Sequence, residues 1–216
     1  MPRPIRPGPA APDAWSTAAA RSRASTSASA ASPSASAKTK APLLVPILET
    51  ERLRLRAYTA QDLDDHAETM RDPAVVRHLG GTAMSREESW RRICTATGLW
   101  PLIGYGYWAI ERLSDRRWIG LAGFADFKRD VVPSIENIPE MGWIFAPHAH
   151  GQGYALEATR AAMAWADANL AGREFVAIID PANAPSIRLA EKLGFGARED
   201  ATYRGEPILL FRRPPA

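Results

Sequence analysis

One cysteine, Cys94, occurs in 216 residues. That excludes an internal disulfide and a structural zinc site built on paired thiolates, so the fold depends on its own apolar core. The same scarcity suits a reducing compartment, and a cytoplasmic location is the expectation. Long apolar runs are also missing. Even the Ala-rich stretch after residue 153 is broken by Glu157, Arg160 and Asp167, short of the roughly 18 apolar residues of a membrane span. Gly-Lys-Ser/Thr occurs nowhere, which removes the P-loop nucleotide hydrolases. The net charge of +3 is unevenly placed: residues 1–42 carry six Arg/Lys and one Asp, leaving 21 basic and 23 acidic residues in 43–216. The remainder is about neutral, so nucleic acid loses its electrostatic rationale as a partner. With 46% hydrophobic and 24% charged residues, the chain can bury one ordinary domain and carry an appendage.

The appendage is residues 1–42. Between Ser16 and Ala41 stand ten Ala, eight Ser and three Thr, with no aromatic and no large aliphatic side chain, so nothing offsets the entropy of ordering the chain. A disordered Ala/Ser/Pro-rich basic tail is the favoured reading over a targeting peptide, which would need regularly spaced large apolar residues, and over an upstream extension from a misplaced start.

From residue 43 to 216 the texture becomes periodic. Arg52-Leu53-Arg54-Leu55-Arg56 alternates as a half-buried strand. Thr59 with Asp62, and Ser85 with Glu88, are capping boxes opening helices. The first buries Leu63, Ala67 and Met70. The second presents Trp90, Ile93, Cys94 and Thr97 at helical spacing, which makes Cys94 a packed residue rather than a nucleophile. Strand-like runs follow at 107–112, 118–124 and 140–146, then a helix from 153 to 170, a strand at 175–179, a helix at 184–193 and a strand pair around 202–211. This order predicts a mixed α/β domain.

At the centre of that order a strand ends at Ala146, and Gly151, Gly153 and Ala155 stand where the following loop turns into a helix. Small residues let backbone approach a ligand, and the free N–H groups of a first helical turn attract phosphate oxygens. A glycine pair alone is a weak signal. A dinucleotide fingerprint would need glycine where Leu156 stands, and lacks its acidic partner downstream.

Read together with Asn183-Ala184-Pro185-Ser186-Ile187-Arg188-Leu189-Ala190-Glu191-Lys192-Leu193-Gly194-Phe195, the stretch 140–158 resembles the GNAT superfamily of acetyl-coenzyme A-dependent N-acetyltransferases. The opening Leu48-Glu49-Thr50-Glu51-Arg52 and the segment from Asp72-Pro73 to Leu79-Gly80-Gly81 resemble the branch of ribosomal-protein N-terminal acetyltransferases. The resemblance spans about residues 46–212. It implies a mostly antiparallel central sheet with a splayed parallel strand pair (140–146 beside 174–179) and flanking helices. It also implies acetyl-CoA as cosubstrate. No metal is expected, because no further ligand cluster accompanies His148 and His150. His150, Gly151, Gln152, Gly153, Tyr154, Ala155 and Leu156 match the pyrophosphate loop, although His150 replaces the family's Arg or Gln. Trp143, Ile144 and Phe145 match the strand that pairs with pantetheine amides, and Asn183 and Ser186 match the second motif. Asn183 equally suits a plain helix N-cap.

The implied reaction is direct attack of a neutral amine on a thioester in a ternary complex. An alkyl amine is only about one part in a thousand neutral at pH 7, a handicap of roughly 4 kcal/mol. Glu140 is the first choice of base, with Glu136 and Asp180 as alternatives. An N–H near Ile144 would stabilise the oxyanion. Relatives often carry a Tyr acid where Ala190 stands here, which leaves Ser186 and Tyr203 as candidate acids. That vacancy keeps a second reading open, a non-catalytic acyl-CoA-binding module. The acceptor is an amine, either a protein N-terminus or a small molecule. Strand edges beside the last hairpin make a homodimer a further expectation, and neither nucleic acid nor membrane is expected as a partner.

Overall fold

The computed structural model describes residues 45–215; the expected tail, 1–42, lies outside the described residues. Nine strands form one sheet in the order β1-β2-β3-β4-β6-β7-β9-β8-β5. The strands are β1 (Leu48–Glu49), β2 (Leu53–Arg56), β3 (Tyr107–Arg112), β4 (Trp118–Ala125), β5 (Val131–Val132), β6 (Glu140–Phe145), β7 (Phe175–Ile179), β8 (Ala197–Tyr203) and β9 (Glu206–Arg213). Every neighbouring pair is antiparallel except β6 and β7, which run parallel. The helices are α1 (Leu63–Thr69), α2 (Pro73–Val76), α3 (Arg86–Ile103), α4 (Tyr154–Asn169) and α5 (Ala184–Lys192). None of the described helices is long and apolar enough to cross a membrane.

Both faces of the sheet are covered. On one, α4 lays Ala158, Ala162 and Ala166, all fully buried, against Trp108, Phe124, Met141 and Phe175. Alanine at every fourth position is a small-residue stripe that lets the helix axis approach the sheet closely. On the other face, Met70 and the α3 residues Ala96 and Leu99 cover Ala109, Trp118, Leu121 and Ile144. Leu53 and Leu55 are buried, while Arg54 and Arg56 alternate with them on the other face, where both are half-buried; Arg52, just before the strand, is exposed.

The phase of α3 differs from expectation. Its buried stripe is Ser89, Ile93, Ala96, Leu99 and Trp100, whereas Cys94 is exposed and Trp90 is 41% exposed. Residues 90, 94 and 97 also recur at helical spacing, so two overlapping stripes were available. The one with small residues won because Ser89 and Ala96 allow closer contact with α1 and β3. The tryptophans serve packing: Trp100, Trp108 and Trp165 meet edge-to-face with centroids 4.8–5.3 Å apart.

Beneath α1 lies a buried basic group without a partner. His66 is 1% exposed, and neither ring nitrogen has a hydrogen-bond partner. Burial, aided by the nearby Arg92 charge, holds its pKa down to about 4. A depressed histidine pKa favours the neutral form in the folded state. Its contribution is therefore complete above pH 6.5 and is lost as pH falls toward 4, about 2 kcal/mol of it by pH 5. We expect His66→Leu to remove that share of acid sensitivity. Thermal unfolding at pH 7.5 and 5.0 would test it: the variant should lose less stability between the two than the parent protein.

Candidate active site

The site begins where β6 and β7 part. Their register contains one pair, Glu140 with Val176, secured by the Val176 N–H donating to the Pro139 carbonyl at 3.1 Å. Beyond that pair the strands diverge. On its other edge β6 stays in register with β4 from Glu140 to Phe145, and the Ala146 N–H donates to Ile119 O at 2.9 Å. Antiparallel ladders alternate, so Ile144, two residues earlier, directs its main-chain groups to β4. Trp143 and Phe145 direct theirs into the splay. The N–H expected near Ile144 to face a ligand therefore belongs to Trp143 or Phe145, while Ile144 contributes its side chain to the opposite face. Phe145 is half engaged already, since its carbonyl accepts from His150 Nε2 at 2.9 Å.

At the open end of the splay lies the glycine loop. Gly151 and Gly153 have φ of 73° and 81°, a left-handed conformation that glycine adopts without steric penalty. Gly153 is the N-cap of α4, and the first intrahelical bond is Glu157 N–H to Gly153 O. The N–H groups of Tyr154, Ala155 and Leu156 thus point out of the helix end without intrahelical acceptors. Gln152 turns back, its amide donating to His148 O at 2.7 Å. The loop is clamped by a pair separated by more than 100 residues. Glu157 accepts from Thr50 Oγ1, from the Arg52 N–H and from Arg52 Nε at 2.7, 3.0 and 2.7 Å. Arg52 in turn donates to Gln152 O at 3.0 Å and lies 4.5 Å over the Tyr154 ring. These bonds to Thr50 and Arg52 outweigh burial and hold the Glu157 carboxyl below its usual pKa. Glu157 thus serves the loop rather than a ligand.

The second motif closes one wall. Asn183 Oδ1 accepts from the Ser186 N–H at 3.2 Å, so Asn183 is an N-cap of α5. Ser186 Oγ accepts from Trp143 Nε1 at 3.3 Å, linking α5 to β6 across the splay. Ala190, one turn after Ser186, is fully buried and offers no hydroxyl to this wall.

Glu140 and Tyr203 lie on the opposite face. Glu140 is 4% exposed and accepts from Arg129 Nε at 2.7 Å, while Arg129 Nη1 donates to the Tyr203 hydroxyl at 3.2 Å. Burial raises the Glu140 carboxyl pKa, and Arg129 opposes that rise only in part. The three candidate catalytic residues are therefore divided: Arg129 joins Glu140 to Tyr203, and Ser186 stands apart with Trp143. The alternative bases are engaged elsewhere. Asp180 pairs with His78 Nδ1 at 2.6 Å, and Glu136 lies 3.4 Å from Lys128.

Two neighbours of Glu140 carried no sequence signal. Arg129 lies eleven residues away in a loop of mixed charge. Tyr107 comes from β3, and a β-carbon at Gly142 would overlap its hydroxyl, so the glycine in β6 makes room for that group. Burial keeps the Tyr107 phenol protonated well above the usual tyrosine range. Beside these residues opens a cleft of about 540 Å³ between α3, β3–β4 and the 127–130 loop. Among the described residues no group of three or more His, Cys, Asp or Glu is placed to hold a metal ion.

A splayed parallel pair leading into a glycine-capped helix, with a buried carboxylate at the convergent end, is the architecture of an acyltransferase. Residues 52–196 match the family model "Acetyltransferase (GNAT) domain", and the chain belongs to that family. It is 30% identical over 176 residues to the uncharacterized protein YkkB of Bacillus subtilis, covering 77% of this chain and 94% of that one. The solved structure of a Bordetella pertussis protein described as a GnaT-family acetyltransferase superposes with TM-score 0.69 at 31% identity, covering 78% and 99% of the two chains. The ribosomal L7/L12 α-N-protein acetyltransferase RimL, solved in complex with coenzyme A, shares the fold with TM-score 0.60 at 17% identity, over 79% and 98%.

Proposed function

We propose that this acetyltransferase moves the acetyl group of acetyl-CoA to a primary amine by direct attack within a ternary complex. The observation that carries the reading is the β6–β7 splay, held at one register pair and ending at the outward N–H groups of Tyr154, Ala155 and Leu156. Those groups and the left-handed Gly151 and Gly153 suit a diphosphate: a strand edge for amides leads into a helix end for anions. Acetyl-CoA would supply the activated acyl carbon.

The chain's own residues divide the remaining work. Trp143 offers main-chain groups to the pantetheine amides, and Ser186, through the Trp143 indole, fixes the wall beside them. His150 contributes a backbone position, because its ring is spent on Phe145 O. Glu140, alone or through water, accepts the proton that the ammonium must lose. Its raised pKa makes it a better base than an exposed glutamate. Attack forms the C–N bond and breaks the C–S bond, and the thiolate leaves. Thiols have pKa near 8.5, so an acid assists without being indispensable. Tyr203, held by Arg129, and Tyr107, at Gly142, are the hydroxyls on the acceptor face available for that proton.

Release of free thiol from acetyl-CoA in the presence of an amine panel tests the reading, with calorimetry of acetyl-CoA alone alongside. Acceptor-dependent release is the expected result. Binding without release with any amine would identify a non-catalytic acyl-CoA module instead. Gly153→Ala probes the loop separately. Its φ of 81° is strained for a β-carbon, which would also lie 3.4 Å from Arg52 Nη2. If the loop relaxes to relieve that strain, binding must restore it, and the cost of about 1–2 kcal/mol should raise the KM for acetyl-CoA about tenfold while leaving kcat within a few-fold. An unchanged KM would remove the loop from cofactor binding.

A further inference from the structure

Resting on the amine-acetylation reading, the cleft beside Glu140 narrows the acceptor. Four cations and one acid line it: Arg92, Lys128, Arg129, Arg204 and Asp130. Two of the cations are already neutralised. Lys128 Nζ lies 2.7 Å from Asp126 and 3.4 Å from Glu136, and Arg129 is paired with Glu140 at 2.7 Å. Among the described residues no carboxylate lies within ion-pair distance of Arg92 or Arg204. Arg92, half-buried in the middle of α3, has one polar side-chain contact, the Met84 sulfur at 3.9 Å.

The aromatic lining does not compete for a ligand cation, because its ring faces are in use. Arg129 lies 4.8 Å over Phe127 and 5.2 Å over Tyr203, Arg204 lies 5.1 Å over Tyr203, and Phe127 stacks on Tyr107 with centroids 6.1 Å apart. Tyr58 Oη, also on the lining, is buried without a hydrogen-bond partner. A half-buried guanidinium without a counter-charge, on the same cleft as an unpaired buried hydroxyl, leaves bonds that an anion would complete. A carboxylate does so through the planar fork of arginine, with a second oxygen for the phenol.

We infer that the acceptor is a small amine that also bears a carboxylate, bound with its anionic end at Arg92 and Tyr58 and its amine toward Glu140. The placement follows from the sheet. Tyr107 and Leu121 line the cleft, and Leu121 stands opposite Ile144, whose side chain shares a face with that of Glu140, four residues earlier in β6. The cleft volume, about 540 Å³, falls within the range of small-molecule pockets, roughly 300–1,000 Å³. A protein N-terminus fits less well, because the carboxyl of its first residue is consumed in a peptide bond.

The test uses the full chain, acetyl-CoA and free amino acids, each paired with its carboxamide, and a short peptide series. Thiol release should favour at least one free amino acid over its amide by tenfold or more in kcat/KM. Arg92→Gln should abolish that preference mainly through acceptor KM, with acetyl-CoA affinity by calorimetry unchanged, and Arg92→Lys should recover part of it. Amides or peptides accepted as well as acids, or an acid preference that survives Arg92→Gln, would overturn the inference. Acetyl-CoA uptake with no turnover of any carboxylate-bearing amine would also overturn it. Absence of acetyl-CoA uptake would instead bring down the underlying reading, and the inference with it.

Discussion

Arg56→Ala is expected to destabilise the fold by about 3–5 kcal/mol, a fall of roughly 10 °C in melting temperature for a domain of this size. The guanidinium sits between two buried carboxylates. It donates to Asp62 Oδ2 and Oδ1 at 2.9 and 2.8 Å and to Glu111 Oε2 at 2.8 Å, and Asp62 and Glu111 are 3% and 7% exposed. Asp62 also accepts the Thr59 N–H at 2.7 Å, so one arginine ties the start of α1 to the edge of β2 and β3. Asp62, which bonds both ends of the fork, is the main reason the Arg56 pKa is raised; burial opposes it. Alanine removes the cation between two carboxylates in a poorly solvated site, leaving Glu111 only Arg54 and Arg116 at 3.7 and 3.3 Å. Two further measurements distinguish this from simple loss of packing. The triple change Arg56→Met, Asp62→Leu, Glu111→Leu should be less destabilising than Arg56→Ala alone, since it removes the charges together. Arg56→Lys, which keeps the charge and loses the fork, should recover part of the deficit. A deficit as large in Arg56→Lys as in Arg56→Ala would mean that the charge of Arg56 contributes little.

Glu140→Gln is expected to lower kcat by about 10²–10⁴-fold, the usual contribution of a positioned general base. Glutamine keeps the volume and an oxygen for Arg129, so acetyl-CoA affinity should stay within a few-fold. The pH dependence carries the stronger test. A base must be unprotonated to act, and burial raises the Glu140 pKa above its ordinary value. Parent activity should therefore be present above that raised pKa and lost as pH falls through it. The variant should lack that acid limb. Its rate should climb with pH as more acceptor amine becomes neutral on its own, closing part of the gap. An undiminished kcat in the variant would assign proton removal to another group.

The two predictions draw on features of unequal visibility in the sequence. Strand and helix positions follow from local period: β3 and β7 occupy the expected 107–112 and 175–179, and α4 occupies 154–169 within the expected 153–170. The capping pairs Thr59 with Asp62 and Ser85 with Glu88 are also local, each spanning a single turn. Short pieces carried no period and were invisible: β1 and β5 have two residues each and α2 has four. The last hairpin began earlier than expected, at Ala197, because β8 has a mostly exposed face and little alternation to read.

By itself, the chain's order of residues determined that a strand must run into a glycine-opened helix able to hold an anion, since both glycines and the outward N–H groups lie within one short segment. It also determined that β2 has one buried and one charged face. Only the tertiary structure decided which of two overlapping stripes of α3 turns inward, leaving Cys94 in solvent, and that Glu140 answers to Arg129 and Tyr203 while Ser186 answers to Trp143. It alone joined Arg52 to Glu157 and left Arg92 without a counter-charge. Periodicity fixes which residues share a face. Which face is covered, and which charges meet across tens of residues, depends on packing between elements that are remote along the chain.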